Sequence, residues 1–346
     1  MCELEQFDLF GNKIIIEDNT KENLYSKEQI LQAAFDDFRR KGFPYPELNL
    51  FECMQEINEL KKLKQSECIK TRIAYRVADT YNKHRFHSSA LGKDNPYDSF
   101  YNDIKLKKVL NKQYDDSKSF KYGYLGFMSL VNNTQSCSNF RPGFARMIYN
   151  KYCVENGVVF DSSTGYGGRL VGFIASHCNT YYGTDPNTLT YNANIKLAQD
   201  LKNTKNVFLF NEPIEDLNIS ELENTIDLSF TSPPYFIKEI YSSEETQSCN
   251  RYPKYDDWIN GFLKPMISKQ YKVLKKDCYN LINIEDVNIN GKKKELVKPS
   301  IEIAESLGFK HIENLVFPLA TRIVHYKNGD RKLVKAEETV IVLKKI

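Results

Sequence analysis

The chain has 346 residues, 27% of them charged and 41% hydrophobic, with a formal net charge of +3. Such a length fits one large or two modest domains, the charge is too mild to mark a nucleic-acid binder by itself, and no apolar run approaches membrane-spanning length. Eight cysteines form no C-x-x-C pair and do not cluster with the five histidines, which argues against a zinc site and for free thiols in a reducing cytoplasm.

At the N-terminus, Met1-Cys-Glu-Leu-Glu-Gln has neither the basic start nor the apolar core of a signal peptide. Residues 1–20 read as an irregular or strand-bearing arm, with a β-branched piece from Lys13 to Glu17. A helix is predicted over 26–40, with Ser26 as its N-cap, and Gly42-Phe-Pro44-Tyr-Pro46 ends it. A second helix is predicted from Asn49 to Leu63 and a third from Glu67 to Lys83. The stretch 84–137 is rich in Tyr, Phe, Asn and Lys and has no clear period.

From Lys61 to Lys121 there are 15 Lys or Arg against 7 Asp or Glu. Arg72, Arg76, Lys105, Lys107 and Lys108 stand among Tyr75, Tyr81, Phe86, Tyr97 and Phe100. Cations of this kind can neutralise phosphates and the rings can stack bases. The plainer alternative is a solvated helix face. Residues 1–137 are therefore set apart as a mainly helical N-terminal region, a candidate for nucleic-acid recognition.

From residue 138 to 346 strand and helix alternate. Strands are predicted near 157–161, 180–184, 206–210, 226–231, 278–284, 311–317 and 337–344. Helices are predicted near 142–154, 168–177, 187–202, 255–275 and 299–307. This alternation predicts an α/β fold: a doubly wound, mostly parallel seven-stranded sheet covered on both faces. In such sheets the ligand sits at the carboxyl ends of the strands, where strand order reverses. If the first and fourth strands are neighbours there, the segments that follow them share one site.

The first strand leads into Asp161-Ser-Ser-Thr-Gly165-Tyr-Gly167-Gly168-Arg169, a glycine-rich turn before a helix. The glycines allow the backbone to approach a ligand closely. Their spacing is neither the dinucleotide G-x-G-x-x-G nor a P-loop. The second strand ends at Thr184-Asp185-Pro186-Asn187, where an acid can take ribose hydroxyls. Either acid alone could be a helix cap; the two together favour a nucleoside-like cofactor.

The fourth strand runs into Ser232-Pro233-Pro234-Tyr235. Two consecutive prolines fix φ and supply no N–H, so the corner is stiff and its carbonyls point outward. It suits gripping a planar ring while accepting hydrogen bonds from an amino group on the ring edge; the plainer alternative is a Pro-Pro turn between a strand and a loop. Beyond it, Phe236 to Pro253 has no strong period and is placed as a lid, with a surface loop of no such role as the alternative. Lys292-Lys293-Lys294 and the turn signal Asn328-Gly329 could touch phosphates or be plain solvated turns.

Phe160–Arg169, Gly183–Asn187 and Thr231–Phe236 resemble three motifs of the S-adenosylmethionine-dependent amino-methyltransferases that act on the N4 of cytosine or the N6 of adenine in DNA. Asn139-Phe140-Arg141-Pro142 resembles the cofactor-side motif that precedes the glycine turn in some subclasses. The resemblance spans roughly 138–346. It implies S-adenosylmethionine as cofactor and a class I methyltransferase-like sheet. It also implies that Phe140, Pro142, Asp161, Gly165, Gly167, Gly168 and Asp185 hold the cofactor, with Glu212 against adenine. Ser232 to Tyr235 would hold the target amino group. Ser162-Ser163 departs from the family's usual proline. Ser before Pro-Pro goes mostly with cytosine and Asp with adenine, which favours N4-cytosine.

The implied partner is DNA, as a duplex with a flipped base or a single strand, with no metal and no membrane. The implied setting is cytoplasmic, nucleoid-associated during work on DNA, as in restriction–modification. An RNA base methyltransferase, a nucleic-acid binder on an inactive scaffold and a protein glutamine methyltransferase remain as alternatives.

Overall fold

The computed structural model describes residues 24–318, 322–325, 331–334 and 337–346. The expected arm at Lys13–Glu17 and the Asn328-Gly329 turn lie outside the described residues. Strands β1 (Val158–Asp161), β2 (Thr180–Thr184), β3 (Asn206–Phe210), β4 (Ile226–Thr231), β5 (Leu274–Ile284), β6 (Phe309–Pro318) and β7 (Glu337–Lys345) form one seven-stranded sheet. Their order is β6-β7-β5-β4-β1-β2-β3. Strands β1 to β5 are parallel to their neighbours, and β7 runs antiparallel between β5 and β6. This is the doubly wound, mostly parallel α/β sheet that the alternation predicts.

Strand order reverses between β1 and β4, which pair through Val159 with Leu228 and Phe160 with Ser229. All six residues of β4 are buried, as a strand covered on both faces requires. The two faces carry separate cores. Val340 and Val342 join Phe144, Tyr149, Leu170 and Phe230 on one side. Ile341 and Leu343 join Phe160, Trp258, Met266 and Ile282 on the other. Adjacent residues of one strand thus divide between the cores, as the two-residue strand period dictates.

Two helices predicted as single segments are interrupted. The third, expected over Glu67–Lys83, is a short turn at Glu67–Ile69 followed by a helix at Tyr75–Tyr81. Between them Ala74 adopts a left-handed φ of 63°, held by its N–H donating to Glu56 at 2.7 Å. The helix expected over 255–275 has a π-helical turn at Ile259–Leu263 before Lys264–Val273. Pro265 explains it: a proline within a helix cannot donate to the carbonyl one turn back and collides with it.

The helices Lys27–Lys41 and Leu50–Lys62 begin with reciprocal capping boxes, Ser26 with Gln29 and Asn49 with Glu52. Phe38, Phe43, Phe86, Phe100, Leu106 and Phe127 form a third core within the N-terminal region. Ile57, Leu60, Val77 and Ala78 instead pack into the core of the sheet. The N-terminal region is thereby joined to the sheet through buried apolar surface, and it reaches the edge of the crevice at β1 and β4.

Candidate active site

A cleft of about 1180 Å³ opens at the carboxyl ends of β1, β2 and β4. Its walls include Ser162 to Tyr166, Asp185 to Asn187 and the whole Ser232-Pro233-Pro234-Tyr235 corner. The stretches that follow the first and fourth strands therefore share one site, although about seventy residues separate them. The link is direct: Thr231 at the end of β4 donates to Asp161 at the end of β1 at 3.0 Å.

Asp161 does not itself line the cleft. It is fully buried, and one of its oxygens accepts from Thr231 and the Ser163 N–H. The other accepts from Arg169 Nε at 2.8 Å and from the Tyr181 hydroxyl at 2.7 Å. Arg169 is 4% exposed and also donates to the Ser163 carbonyl. A buried carboxylate so completely engaged organises the glycine turn and is not free to meet a cationic ligand, which corrects the direct contact expected of it.

Among the glycines, Gly165 lines the cleft, with φ 60°. Gly167, at φ 80°, and Gly168 serve packing. A Cβ on Gly167 would come within 2.7 Å of Asn194 Oδ1, and one on Gly168 within 2.6 Å of Asn139 Oδ1. Asn139 ties this turn down. Its amide nitrogen donates to the Tyr166 carbonyl at 2.9 Å and its oxygen accepts from the Gly168 N–H at 3.2 Å. Phe140 lies on the cleft wall, stacked on Phe317 at 4.8 Å. Pro142 is buried at the first turn of the helix Pro142–Tyr152, outside the wall.

Asp185 is half-buried on the wall and accepts from the Gly165 N–H at 2.8 Å and the Asn187 N–H at 2.9 Å, one bond per oxygen. Each oxygen keeps a second lone pair. Burial pushes its carboxyl up to about 6, against the opposing pull of the two backbone N–H groups. Glu212 is exposed beyond the end of β3 and does not line the cleft; Pro213, Ile214 and Glu215 do. Glu215 is the acid that sequence reasoning missed. It pairs with Arg251 at 3.1 Å, its Oε2 has no partner, and burial raises its carboxyl.

At the corner, Asn283 from β5 donates through one amide nitrogen to Ser232 Oγ at 3.1 Å, the Tyr235 hydroxyl at 2.7 Å and Glu338 at 2.8 Å. One NH2 has two hydrogens, so three acceptors oversubscribe it. Glu338, from β7, also lines the cleft. Lys238 lies 5.0 Å from the centre of the Tyr235 ring. Neither Asn283 nor Glu338 belongs to a motif; their positions at strand ends become visible only once the sheet order is known.

The segment after the corner is tied to the N-terminal region and contributes to the cleft wall. Glu239–Ile240 pairs with Ser89–Ala90 of the N-terminal region, and Glu244 accepts from the Thr188 N–H at 3.2 Å. Tyr241, Thr246, Gln247 and Ser248 form part of the wall.

The five basic residues singled out in the sequence separate. Arg72 and Arg76 line the cleft. Lys105 is paired with Asp94, Lys107 lies 4.9 Å from the Phe35 ring centre, and Lys108 is exposed on the same helix, Asp103–Ser117. None of these three lysines lines the cleft. Lys293 pairs with Asp286 at 2.9 Å in a small hairpin. Among the described residues no group of three or more His, Cys, Asp or Glu could hold a metal, and no helix is long and apolar enough to cross a membrane.

A comparison with curated proteins finds no match. Among solved structures, YcgJ from Bacillus subtilis is 12% identical, with 59% of this chain and 99% of that one covered at a TM-score of 0.41. A TehB-like SAM-dependent methyltransferase from Corynebacterium glutamicum is 13% identical over 60% of this chain and 90% of that one, TM-score 0.37. TrmN from Thermus thermophilus is 11% identical over 59% of this chain and 49% of that one, TM-score 0.38. Residues 226–345, which hold the Pro-Pro corner, Asn283 and Glu338, match the family model N6_N4_Mtase, described as DNA methylase. Over that segment, about a third of the chain, the protein is similar to the N4/N6 DNA methylase family, in agreement with the Thr231–Phe236 motif read from its sequence.

Proposed function

We propose that the protein is a DNA amino-methyltransferase that moves a methyl group from S-adenosylmethionine to the exocyclic amino group of a base, N4 of cytosine before N6 of adenine. One observation carries this reading: Asp185 and the Ser232–Tyr235 corner face the same cleft. S-adenosylmethionine is the expected cofactor; when bound it supplies an activated methyl on a sulfonium, so the donor's reactivity is its own.

The residues present fit that group. The free lone pairs of Asp185 suit a ribose diol, Gly165 lets the backbone come close, and Glu215 offers an unpaired carboxylate oxygen on the adenine side. Phe140 supplies an aromatic wall beside the glycine turn. The protein then has to align an amino nitrogen, and positioning of that kind contributes several kcal/mol, of order 7–11 at best.

The amino group of a base is a poor nucleophile because its lone pair is delocalised into the ring. Ser232 Oγ and the Pro233 carbonyl accept its two hydrogens and draw the nitrogen toward tetrahedral geometry. Asn283 sets the position of Ser232 Oγ, and its oversubscribed NH2 leaves acceptor capacity at the corner for an incoming amino group. Tyr235, fixed through its hydroxyl, presents its ring to the base. A base in a duplex must leave the stack to reach this corner, at a cost of a few kcal/mol.

Incubation with methyl-labelled cofactor and separate DNA and RNA pools tests the reading. Label in DNA is the expected result; label in RNA alone would make the protein an RNA base methyltransferase.

A further inference from the structure

The cleft exceeds the roughly 300–1,000 Å³ of ordinary small-molecule sites, at about 1180 Å³. The extra wall belongs to the N-terminal region. It is formed by Tyr45, Arg72, Arg76 and the turn Lys121-Tyr122-Gly123-Tyr124-Leu125-Gly126.

Asp185, Glu215 and Glu338 line this cleft from the sheet side and Glu239 from the strap after the corner, while Asp79 on the N-terminal side is paired with Arg85. Arg72, Arg76, Lys121 and Arg141 also line it, and none of the four forms an ion pair with a carboxylate among the described residues. Arg72, Arg76 and Lys121 are exposed. Arg76 is aimed by its bond to the Glu47 carbonyl at 2.8 Å. Unpaired guanidinium groups grouped on one wall call for anions, and a row of them calls for a polyanion.

The same wall exposes apolar and aromatic surface. Leu125 is 75% exposed and Tyr122 37% exposed. The Tyr122 hydroxyl donates to the Gly42 carbonyl at 2.7 Å, and the Tyr45 hydroxyl is bonded to His87 at 3.0 Å. Both rings are therefore held in place, with Lys41 5.2 Å from the centre of the Tyr122 ring and Lys83 5.6 Å from that of Tyr45, and they lose little freedom when a flat ligand stacks on the remaining face. Rigid rings beside unpaired cations are what a single strand uses, since every base has a π face and every nucleotide a phosphate.

We propose that this wall is a shelf for an unpaired DNA strand. The nucleotides flanking the target base stack on Tyr122 and Tyr45, and their phosphates lie against Arg72, Arg76 and Lys121. The proposal rests on the DNA amino-methyltransferase reading and adds to it the form of the substrate: the strand is unpaired around the target, so the cost of extracting a base from a duplex is not met by this protein. The strap Glu239–Ile240 pairs with Ser89–Ala90 and so ties the segment after the corner to the N-terminal region that carries this wall.

The test uses the full chain and fluorescein-labelled mixed-sequence oligonucleotides about 16 nucleotides long, a single-strand footprint. Anisotropy is measured for the DNA single strand, the same DNA fully paired, and an RNA single strand. The DNA single strand is expected to bind at least about tenfold more tightly than the duplex. Tyr122→Ala should weaken single-strand binding about tenfold. Arg72→Ala with Arg76→Ala should flatten the salt dependence by about 0.7 per lost phosphate contact. S-adenosylmethionine titration by calorimetry should be unchanged in each variant, which also shows that it is folded. Duplex bound as tightly as the single strand, RNA bound more tightly than DNA, or variants that bind the single strand as the parent does would each overturn the shelf. Cofactor binding without affinity for any of the three polymers would overturn the DNA-methyltransferase reading itself.

Discussion

Thr231 Oγ1 donates to Asp161 Oδ1 at 3.0 Å, joining residues 70 positions apart in sequence at the point where strand order reverses. Both partners are fully buried. This bond fixes the glycine turn after β1 against the Pro-Pro corner after β4. Thr231→Val keeps the shape and removes the donor. A hydrogen bond to a charged group contributes about 1.5–3 kcal/mol, so a loss of that size is expected in urea unfolding.

The pair of Asp161 with Arg169 makes a sharper prediction. Arg169→Met leaves a buried carboxylate without its cation, and breaking a buried pair from one side costs about 3–5 kcal/mol. Asp161→Asn together with Arg169→Met leaves no uncompensated charge. Thermal melting should therefore place the double variant above Arg169→Met, and a double variant at or below it would contradict the pairing.

Asp185 gives two opposite pH dependences. Its folded carboxyl titrates near pH 6, raised by burial above the usual 3.8. Because the folded value is the higher one, the stability this group contributes to the cofactor-free protein is present at acid pH and is lost as pH rises through about 6. Cofactor binding runs the other way, since ribose hydroxyls donate to the ionised form. Affinity for S-adenosylmethionine should fall as pH drops below about 6, and Asp185→Asn should flatten both profiles. Melting of the cofactor-free protein across pH 5 to 8 reads the stability profile, and calorimetry over the same range reads the cofactor affinity.

The corner and the acid should separate in kinetics. Tyr235→Ala and Asn283→Leu act on the target side and should lower kcat far more than cofactor affinity. Asp185→Ala should do the reverse. Removing the Asn283 amide leaves Ser232 Oγ without its positioning donor, and losses of about 10²-fold follow misplacements of this kind. Equal weakening of cofactor binding by all three changes would contradict the division of roles.

The sheet was legible because each strand is a short apolar run ending in turn residues, and all seven predicted strands occur. The topology placed the two motifs together for the same reason: a parallel sheet that reverses order has one crevice. What the sequence hid depends on partners brought from elsewhere. Arg169 stands in plain view eight residues after Asp161, yet its role requires seeing both buried. Asn283 and Glu338 lie on strands with no motif of their own. Glu212 looked suitable by its place after β3, but the chain turns so that Pro213 to Glu215 face the cleft. Ala74 in a left-handed conformation broke a helix that its sequence period supports, because Glu56 captures its N–H.

The account stands on methyl transfer to an amino nitrogen across this cleft. The most direct measurement is mass spectrometry of nucleosides from DNA incubated with the protein and methyl-labelled S-adenosylmethionine. The prediction is label on an exocyclic nitrogen, N4-methylcytosine above N6-methyladenine, and none with Tyr235→Ala. Label on a ring carbon, or equal labelling by Tyr235→Ala and the unaltered protein, would contradict it.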